Sequence, residues 1–192
     1  MERSRILFLL CALSLPLFAA GCENSSRAQT TTIPFTNNFA GSFVNGTVDT
    51  NDDGFASAVV TEFGQSEVIG LNAISSRLEM SPVDPVEPCI TPGGGGGTIA
   101  FLVDGAQVIT ADGPDQIYVS LTGLSQCVPD DVAADPGFSY EGQGIITGGT
   151  GAYAGAAGTV SITGTGAYLV SAESGFFGTS SGVMEGSLEL TQ

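Results

Sequence analysis

The sequence predicts an all-β protein that folds as a closed antiparallel β-barrel of about eight strands. Two observations carry this prediction. After residue 39, short runs of β-branched and aromatic residues recur between glycine and aspartate positions, and helical periodicity is nearly absent. The chain also contains 28 glycines, which suit a tightly curved barrel because glycine marks bulges and corners.

Several of the predicted strands show the alternation expected of a sheet with one buried face. In "QIYVSLT", the apolar residues Ile117, Val119 and Leu121 share one face. The run "TIAFLVD" is continuously apolar instead, as in a strand buried on both faces. Short strands at this spacing indicate a barrel or a sandwich. The predicted strands are 40–48, 55–63, 66–80, 98–104, 106–110, 116–122, 138–147, 158–164, 166–171 and 182–190.

The N-terminus has the pattern of a bacterial export signal. Arg3 and Arg5 precede an apolar run over 6–20, which ends in "LFAAGC". This ending is similar to a lipobox, so Cys22 is predicted to become the lipidated first residue of an exported lipoprotein. Ordinary secretion with cleavage near Ala20 is the alternative.

The sequence divides into three segments. Residues 1–21 are predicted to be a signal peptide of the lipoprotein type, and residues 22–38, rich in Ser, Thr and Asn, a flexible tether. Residues 39–192 are long enough to bury a core as one barrel domain. Glu23 after the lipidated cysteine favours anchoring in the outer membrane of the cell envelope.

The charge of the chain excludes one class of partner. There are 20 acidic and 4 basic residues and no histidine, which gives a net charge of −16. Nucleic acid is excluded because so few basic residues among 20 acidic ones could not neutralise its phosphates. Anionic lipid head groups would repel the domain, so membrane contact is expected through the lipid anchor only. Such charge favours solubility, and the sequence leaves the oligomeric state open.

Cys89 and Cys127 are predicted to form a disulfide. Cys11 lies in the export signal and Cys22 at the lipid site, so these two remain as an even pair in an oxidising compartment. A metal site is a poor alternative, since two thiols without any histidine fall short of the usual zinc ligand sets.

Residues 148–158, "GGTGAYAGAAG", raise the question of nucleotide binding. Gly149–Ala154 fits G-x-G-x-x-A, the phosphate-binding turn of dinucleotide-binding enzymes. That site requires a helix after the turn. The residues from Ala157 onward are β-branched and broken by glycines, so the sequence argues against a nucleotide.

The same stretch resembles a turn found in the allene oxide cyclase-like and dirigent-like barrels. Those families carry Gly-Thr-Gly-aromatic-x-x-Ala-x-Gly between two strands late in the barrel. The residues that match include Gly149, Gly151, Tyr153 and Gly158. The resemblance implies a closed barrel in which these residues form a structural turn, with glycines that permit positive φ and Tyr153 as a buried aromatic plug.

The stretch "DTNDDG" is a candidate calcium loop. Asp49, Asn51 and Asp53 stand at alternate positions before Gly54, which lets three oxygen-bearing side chains converge. The closing bidentate glutamate is missing, because position twelve of the loop is Val60. A weak Ca²⁺ site is therefore one interpretation, and a plain turn between two strands is the favoured one. No other cofactor is expected.

Catalytic options are few in this chain. The absence of His, Lys and a free thiol in the mature chain excludes Ser-His-Asp, Cys-His and Schiff-base chemistry. Carboxylates remain, and Glu79 and Glu141 lie in predicted strands, where an acid turned into a barrel would have a raised pKa. For Glu79 the alternative is an ion pair with Arg77.

Two classes of function are compatible with these observations. The favoured one is an exported, lipid-anchored barrel that binds a small apolar molecule or has a structural role in the envelope, without catalysis. The second follows the resemblance: a cyclase or dirigent-type protein that holds a reactive substrate in one conformation while it cyclises or couples. A wide, open apolar cavity with an inward acid would shift the balance toward the second class, and a barrel filled with side chains would exclude it.

Overall fold

The computed structural model describes residues 29–46, 49, 57–82, 86–172 and 175–191. Nine strands and one 3₁₀ turn (Gly151–Tyr153) lie in this part of the chain. Within it, no helix is long and apolar enough to cross a membrane. The strands are β1 Thr30–Gly46, β2 Ser57–Ser66, β3 Gly70–Pro82, β4 Pro88–Ile90, β5 Gly96–Thr110, β6 Gln116–Pro129, β7 Gly137–Gly149, β8 Ala157–Ala172 and β9 Gly175–Thr191.

Eight of these strands close into an antiparallel barrel. The hydrogen-bonded order is β3-β2-β1-β9-β8-β7-β6-β5, and pairing of β3 with β5 completes the ring. The short strand β4 pairs with the first residues of β5, beyond the point where the β3 pairing ends. The predicted fold class is therefore confirmed.

Side chains alternate between the barrel interior and its outer face. In β6, Ile117, Val119 and Leu121 are buried, as their alternation predicts, while Tyr118 between them is 36% exposed. In β9, Met184 and Leu188 are fully buried. One row of each strand therefore supplies the interior.

The interior has two halves that differ in packing. The filled half, at the end where the described chain starts and finishes, contains a continuous apolar core that includes Phe35, Ile74, Ile109, Met184 and Leu188. The cavity half lies toward the connections β1–β2, β3–β4, β6–β7 and β8–β9. It has a smaller cluster of Phe43, Val60, Phe138 and Tyr168.

Two buried amide side chains in the filled half, one on β1 and one on β3, hydrogen-bond to each other over the intervening strand β2. The Asn37 Nδ2 atom donates to Asn72 Oδ1 at 3.1 Å, and Asn72 Nδ2 donates to Asn37 Oδ1 at 3.0 Å. Gly64 on the strand between them leaves the space, since a Cβ there would lie 2.6 Å from both amide oxygens. Reciprocal hydrogen bonds satisfy these polar groups inside an apolar core.

The predicted tether over 22–38 is wrong from residue 30 onward, because β1 begins at Thr30. The segment pairs with β9 along its whole length. Its inward side chains Phe35, Asn37 and Phe39 are buried, so the segment forms a strand although most of its residues are polar.

Two other predicted boundaries are corrected. The predicted strands 98–104 and 106–110 form the single strand β5, and 158–164 and 166–171 form the single strand β8. Cys127, which lies outside the predicted strands, is part of β6. The residues left between these predicted strands, Gly105 and Thr165, are paired strand positions, and Gly105 is buried.

Candidate functional site

A cavity of about 280 Å³ occupies the cavity half of the barrel. All eight barrel strands contribute to its lining, which consists mainly of aliphatic and aromatic side chains. Phe176 lines the cavity and is also 36% exposed, so the cavity approaches solvent at this residue.

Aromatic rings form one wall of the cavity. The ring centroids of Phe43 and Phe138 are 5.4 Å apart, those of Phe138 and Tyr168 5.0 Å, and those of Tyr168 and Phe176 5.2 Å. These separations lie in the range of favourable ring contacts. The ring of Phe43 covers Gly178 on the neighbouring strand, where a Cβ would lie 2.4 Å from it. Glycine on one strand thus makes room for an aromatic ring from the next.

Glu62 places a carboxyl group inside the cavity. Its side chain is 4% exposed, and its Oε1 atom accepts a hydrogen bond from Ser180 Oγ at 2.6 Å. Ser180 lies two strands away, and Gly41 on β1 pairs with both residues. A Cβ at Gly41 would lie 2.8 Å from Glu62 Cγ and 2.1 Å from the Thr61 carbonyl oxygen. Only a glycine at this position lets the carboxyl group reach Ser180.

The electrostatics of the cavity favour neutral groups. Burial raises the pKa of Glu62, and the hydrogen bond from Ser180 offsets part of this effect. Burial also raises the pKa of Tyr140, and the negative charge of Glu62 raises it further. None of the described residues that line the cavity is basic.

Gln107 supplies an unused polar atom at the inner end of the cavity. Its Nε2 atom donates to Ser76 Oγ at 3.1 Å. Its Oε1 atom has no hydrogen-bond partner, alone among the buried side-chain nitrogen and oxygen atoms of the described chain. The second cavity glutamine, Gln126, donates from Nε2 to the Tyr168 hydroxyl at 3.0 Å.

The raised pKa of Glu62 leads to a testable pH dependence. The folded protein holds this proton more tightly than the unfolded chain, so the associated stability is full below the ordinary value of 4.5 and is lost as pH rises through the raised pKa. We expect Glu62→Gln, which stays neutral, to become more stable relative to the wild type as pH rises from about 4 to about 7. Urea unfolding across this range measures the difference.

The matched control is Glu141→Gln, which removes an exposed carboxyl group from the outer face of β7. Its stability should differ little from that of the wild type, because the side chain that it replaces lies in solvent. If the Glu62→Gln curve ran parallel to that of the wild type, the carboxyl group of Glu62 would not be desolvated in the folded protein.

The two acids predicted from the sequence lie elsewhere. Glu79 is buried on the opposite face of β3 from the cavity residues Leu78 and Met80, where it forms an ion pair with Arg77 and accepts a hydrogen bond from Ser57 Oγ at 2.8 Å. Glu141 is exposed. Neither lines the barrel cavity, and Glu79 has the ion-pair arrangement named as its alternative.

The glycine-rich stretch forms the turn between β7 and β8. Gly149 ends β7, Gly151 begins the 3₁₀ turn with φ of 56°, and Gly158 has φ of 142°, so both of the latter adopt conformations that favour glycine. Tyr153 packs against the filled half but is only half-buried, less than the plug that the sequence predicts. The turn places Tyr153 at the barrel rim. Burial raises the pKa of its hydroxyl group there, and the negative charge of Asp115 raises it further.

The structure joins Cys89 and Cys127 by a disulfide, as the sequence predicts. Their Cα atoms are 5.9 Å apart, and the bond links β4 to β6 across β5. The predicted lipidation site Cys22 and the calcium candidates Asn51 and Asp53 lie outside the described residues, so Asp49 is the one member of that loop described here. Among the described residues, no three His, Cys, Asp or Glu side chains are grouped to hold a metal ion.

Comparison with known proteins adds little beyond this geometry. No protein-family model and no curated protein matches the chain. A search of solved structures matches a pterocarpan synthase dirigent protein, with 82% of this chain and 84% of that chain covered, 9% identity and a TM-score of 0.32. An overlap this low carries no argument about function. The assignment as an antiparallel eight-stranded barrel rests on the strand pairing itself.

Proposed function

We propose that this protein binds a small, largely apolar molecule inside its barrel, without catalysis. The observation that supports the proposal is the cavity of about 280 Å³. Ligand pockets typically enclose ~300–1,000 Å³ and combine apolar walls with a few placed polar groups. The cavity is slightly smaller than that range and has this composition, with Glu62, Gln107 and Tyr140 among its polar groups.

The two halves of the barrel interior differ in packing, and this difference supports ligand binding in the cavity. The filled half is packed with apolar side chains, so this chain is able to fill a barrel interior. Leaving apolar walls without contacts costs stability, because those atoms lose dispersion partners. A bound apolar molecule would restore such contacts.

The test uses the neutral fluorophore N-phenyl-1-naphthylamine, whose emission rises in apolar surroundings. We expect saturable binding of one molecule per chain. Ala100 is buried and lines the cavity, so Ala100→Phe should fill it and reduce affinity at least about tenfold, which is about 1.4 kcal/mol. The same substitution at Ala106, exposed on the outer face of the same strand, is the matched control and should leave binding unchanged. Equal loss in both variants, or no binding by the wild type, would contradict the proposal.

A second candidate function is favoured by one observation, the carboxyl group of Glu62 inside the cavity. A barrel that confines a reactive molecule near an acid can steer its cyclisation or coupling. Glu62→Gln separates the two candidates. If the protein only binds its ligand, neither the wild type nor the variant changes that molecule chemically. If the protein steers a reaction, the variant should convert the substrate more slowly without a matching loss of affinity.

The cellular setting is also a proposal. Export and lipid anchoring at Cys22 in the outer membrane are supported by the N-terminal sequence pattern alone. In that setting the barrel would hold its ligand at the envelope, attached by the lipid.

A further inference from the structure

We infer that the ligand of this cavity is a molecule without negative charge that has a single hydrogen-bond donor of the hydroxyl type, and that Gln107 accepts this hydrogen bond at the inner end of the cavity. The inference rests on the ligand binding proposed above and names the chemistry of the ligand.

The Oε1 atom of Gln107 is an unused hydrogen-bond acceptor in the cavity lining. Gln107 is 5% exposed, and its register partners are Ser76 on β3 and Val119 on β6. Ser76 takes the amide nitrogen, which leaves Oε1 as an acceptor without a donor. Buried acceptors are nearly always paired, because an unpaired one keeps its full desolvation cost. Since Gln107 lines the cavity, a ligand can supply the missing donor.

The charges around the cavity exclude an anionic ligand. Among the described residues of the lining, Glu62 is the one with a carboxyl group, and none is basic. Arg77, the sole basic residue of the described chain, is paired with Glu79 on the opposite face of β3. A carboxylate or phosphate would be buried against Glu62 without a counter-charge, and that arrangement is strongly unfavourable.

The positions of the polar and apolar groups set the orientation of the ligand. The next inward residue of β5 after Gln107 is Ile109, which belongs to the filled half, so Gln107 marks the inner end of the cavity. Phe176 marks the solvent-facing end, and the aromatic wall lies on that side. The hydroxyl group therefore lies innermost, with the apolar body against the rings.

Three rigid probes of one shape class test the inference with the full-length protein: 2-adamantanol, 2-adamantanone and adamantane-1-carboxylate. The alcohol can donate to Gln107 Oε1, the ketone presents a second acceptor, and the carboxylate adds a negative charge. We expect calorimetric titration to give an affinity about tenfold higher for the alcohol than for the ketone, with the carboxylate weakest.

Two variants assign the preference to one atom. Gln107→Met keeps the length of the side chain without its oxygen, so the alcohol and the ketone should then bind equally while both remain ligands. Gln126→Met, the same change at the other cavity glutamine, should keep the preference for the alcohol. A wild-type protein that binds the ketone as well as the alcohol, or the carboxylate best, would overturn the inference but leave the proposed binding intact. Binding of none of the three probes, nor of N-phenyl-1-naphthylamine, would overturn both.

Discussion

Removal of the Cys89–Cys127 disulfide is expected to lower the free energy of unfolding by about 3–4 kcal/mol. The bond closes a loop across 38 positions of the sequence, which restricts the unfolded chain. In the folded protein it fixes β4, a strand of three residues that pairs with β5, to the barrel wall at β6. For a domain of this size the loss corresponds to a drop of about 10 °C in melting temperature.

Calorimetry with and without reductant measures this effect. A protein in which both cysteines are replaced by serine is the control, and its melting temperature should be the same under both conditions. Two titratable thiols in protein purified without reductant would contradict the assignment of the bond.

Gly41→Ala is expected to destabilise the protein by about 1–3 kcal/mol, because it adds a methyl group where the chain is tightly packed. The new Cβ would lie 2.1 Å from the Thr61 carbonyl oxygen and 2.5 Å from the Glu62 Cα atom, so backbone atoms would have to move. The Glu62–Ser180 hydrogen bond, which spans this position, should weaken as well.

Gly123→Ala is the matched control, since a Cβ there meets nothing within 4 Å. Urea unfolding of both variants should show a clear loss for position 41 and a change within about 0.5 kcal/mol for position 123. Equal stability of the two variants would mean that Glu62 does not pass over Gly41 on its way to Ser180.

The sequence was informative where apolar and polar residues alternate strictly along a strand. The alternation of Ile117, Val119 and Leu121 predicted their burial, and the glycine content indicated a curved barrel. The N-terminal part of β1 escaped prediction because Thr and Asn cover its outer face. Its identity as a strand comes from pairing with β9, the last strand of the chain, which no local pattern contains.

The candidate site was harder to predict, and Glu62 shows why. In "TEFG", Glu62 is 4% exposed and the next residue, Phe63, is 70% exposed, the reverse of their usual preferences. The alternation of Ala58, Val60 and Glu62 on one face was the available signal. This alternation shows which face of β2 points into the barrel only when the register of β2 against β1 and β3 is known. Glu79 was singled out because it lies in a predicted strand. It stands between the inward residues Leu78 and Met80, however, so its side chain is on the opposite face of β3.

The most direct test of a ligand site in the barrel is a crystal structure of the protein grown with 2-adamantanol. We expect the adamantane cage beside Phe43, Phe138 and Tyr168, with its hydroxyl oxygen about 2.5–3.0 Å from Gln107 Oε1. A probe found only on the outer face, or a cavity half closed by its own side chains, would contradict the account.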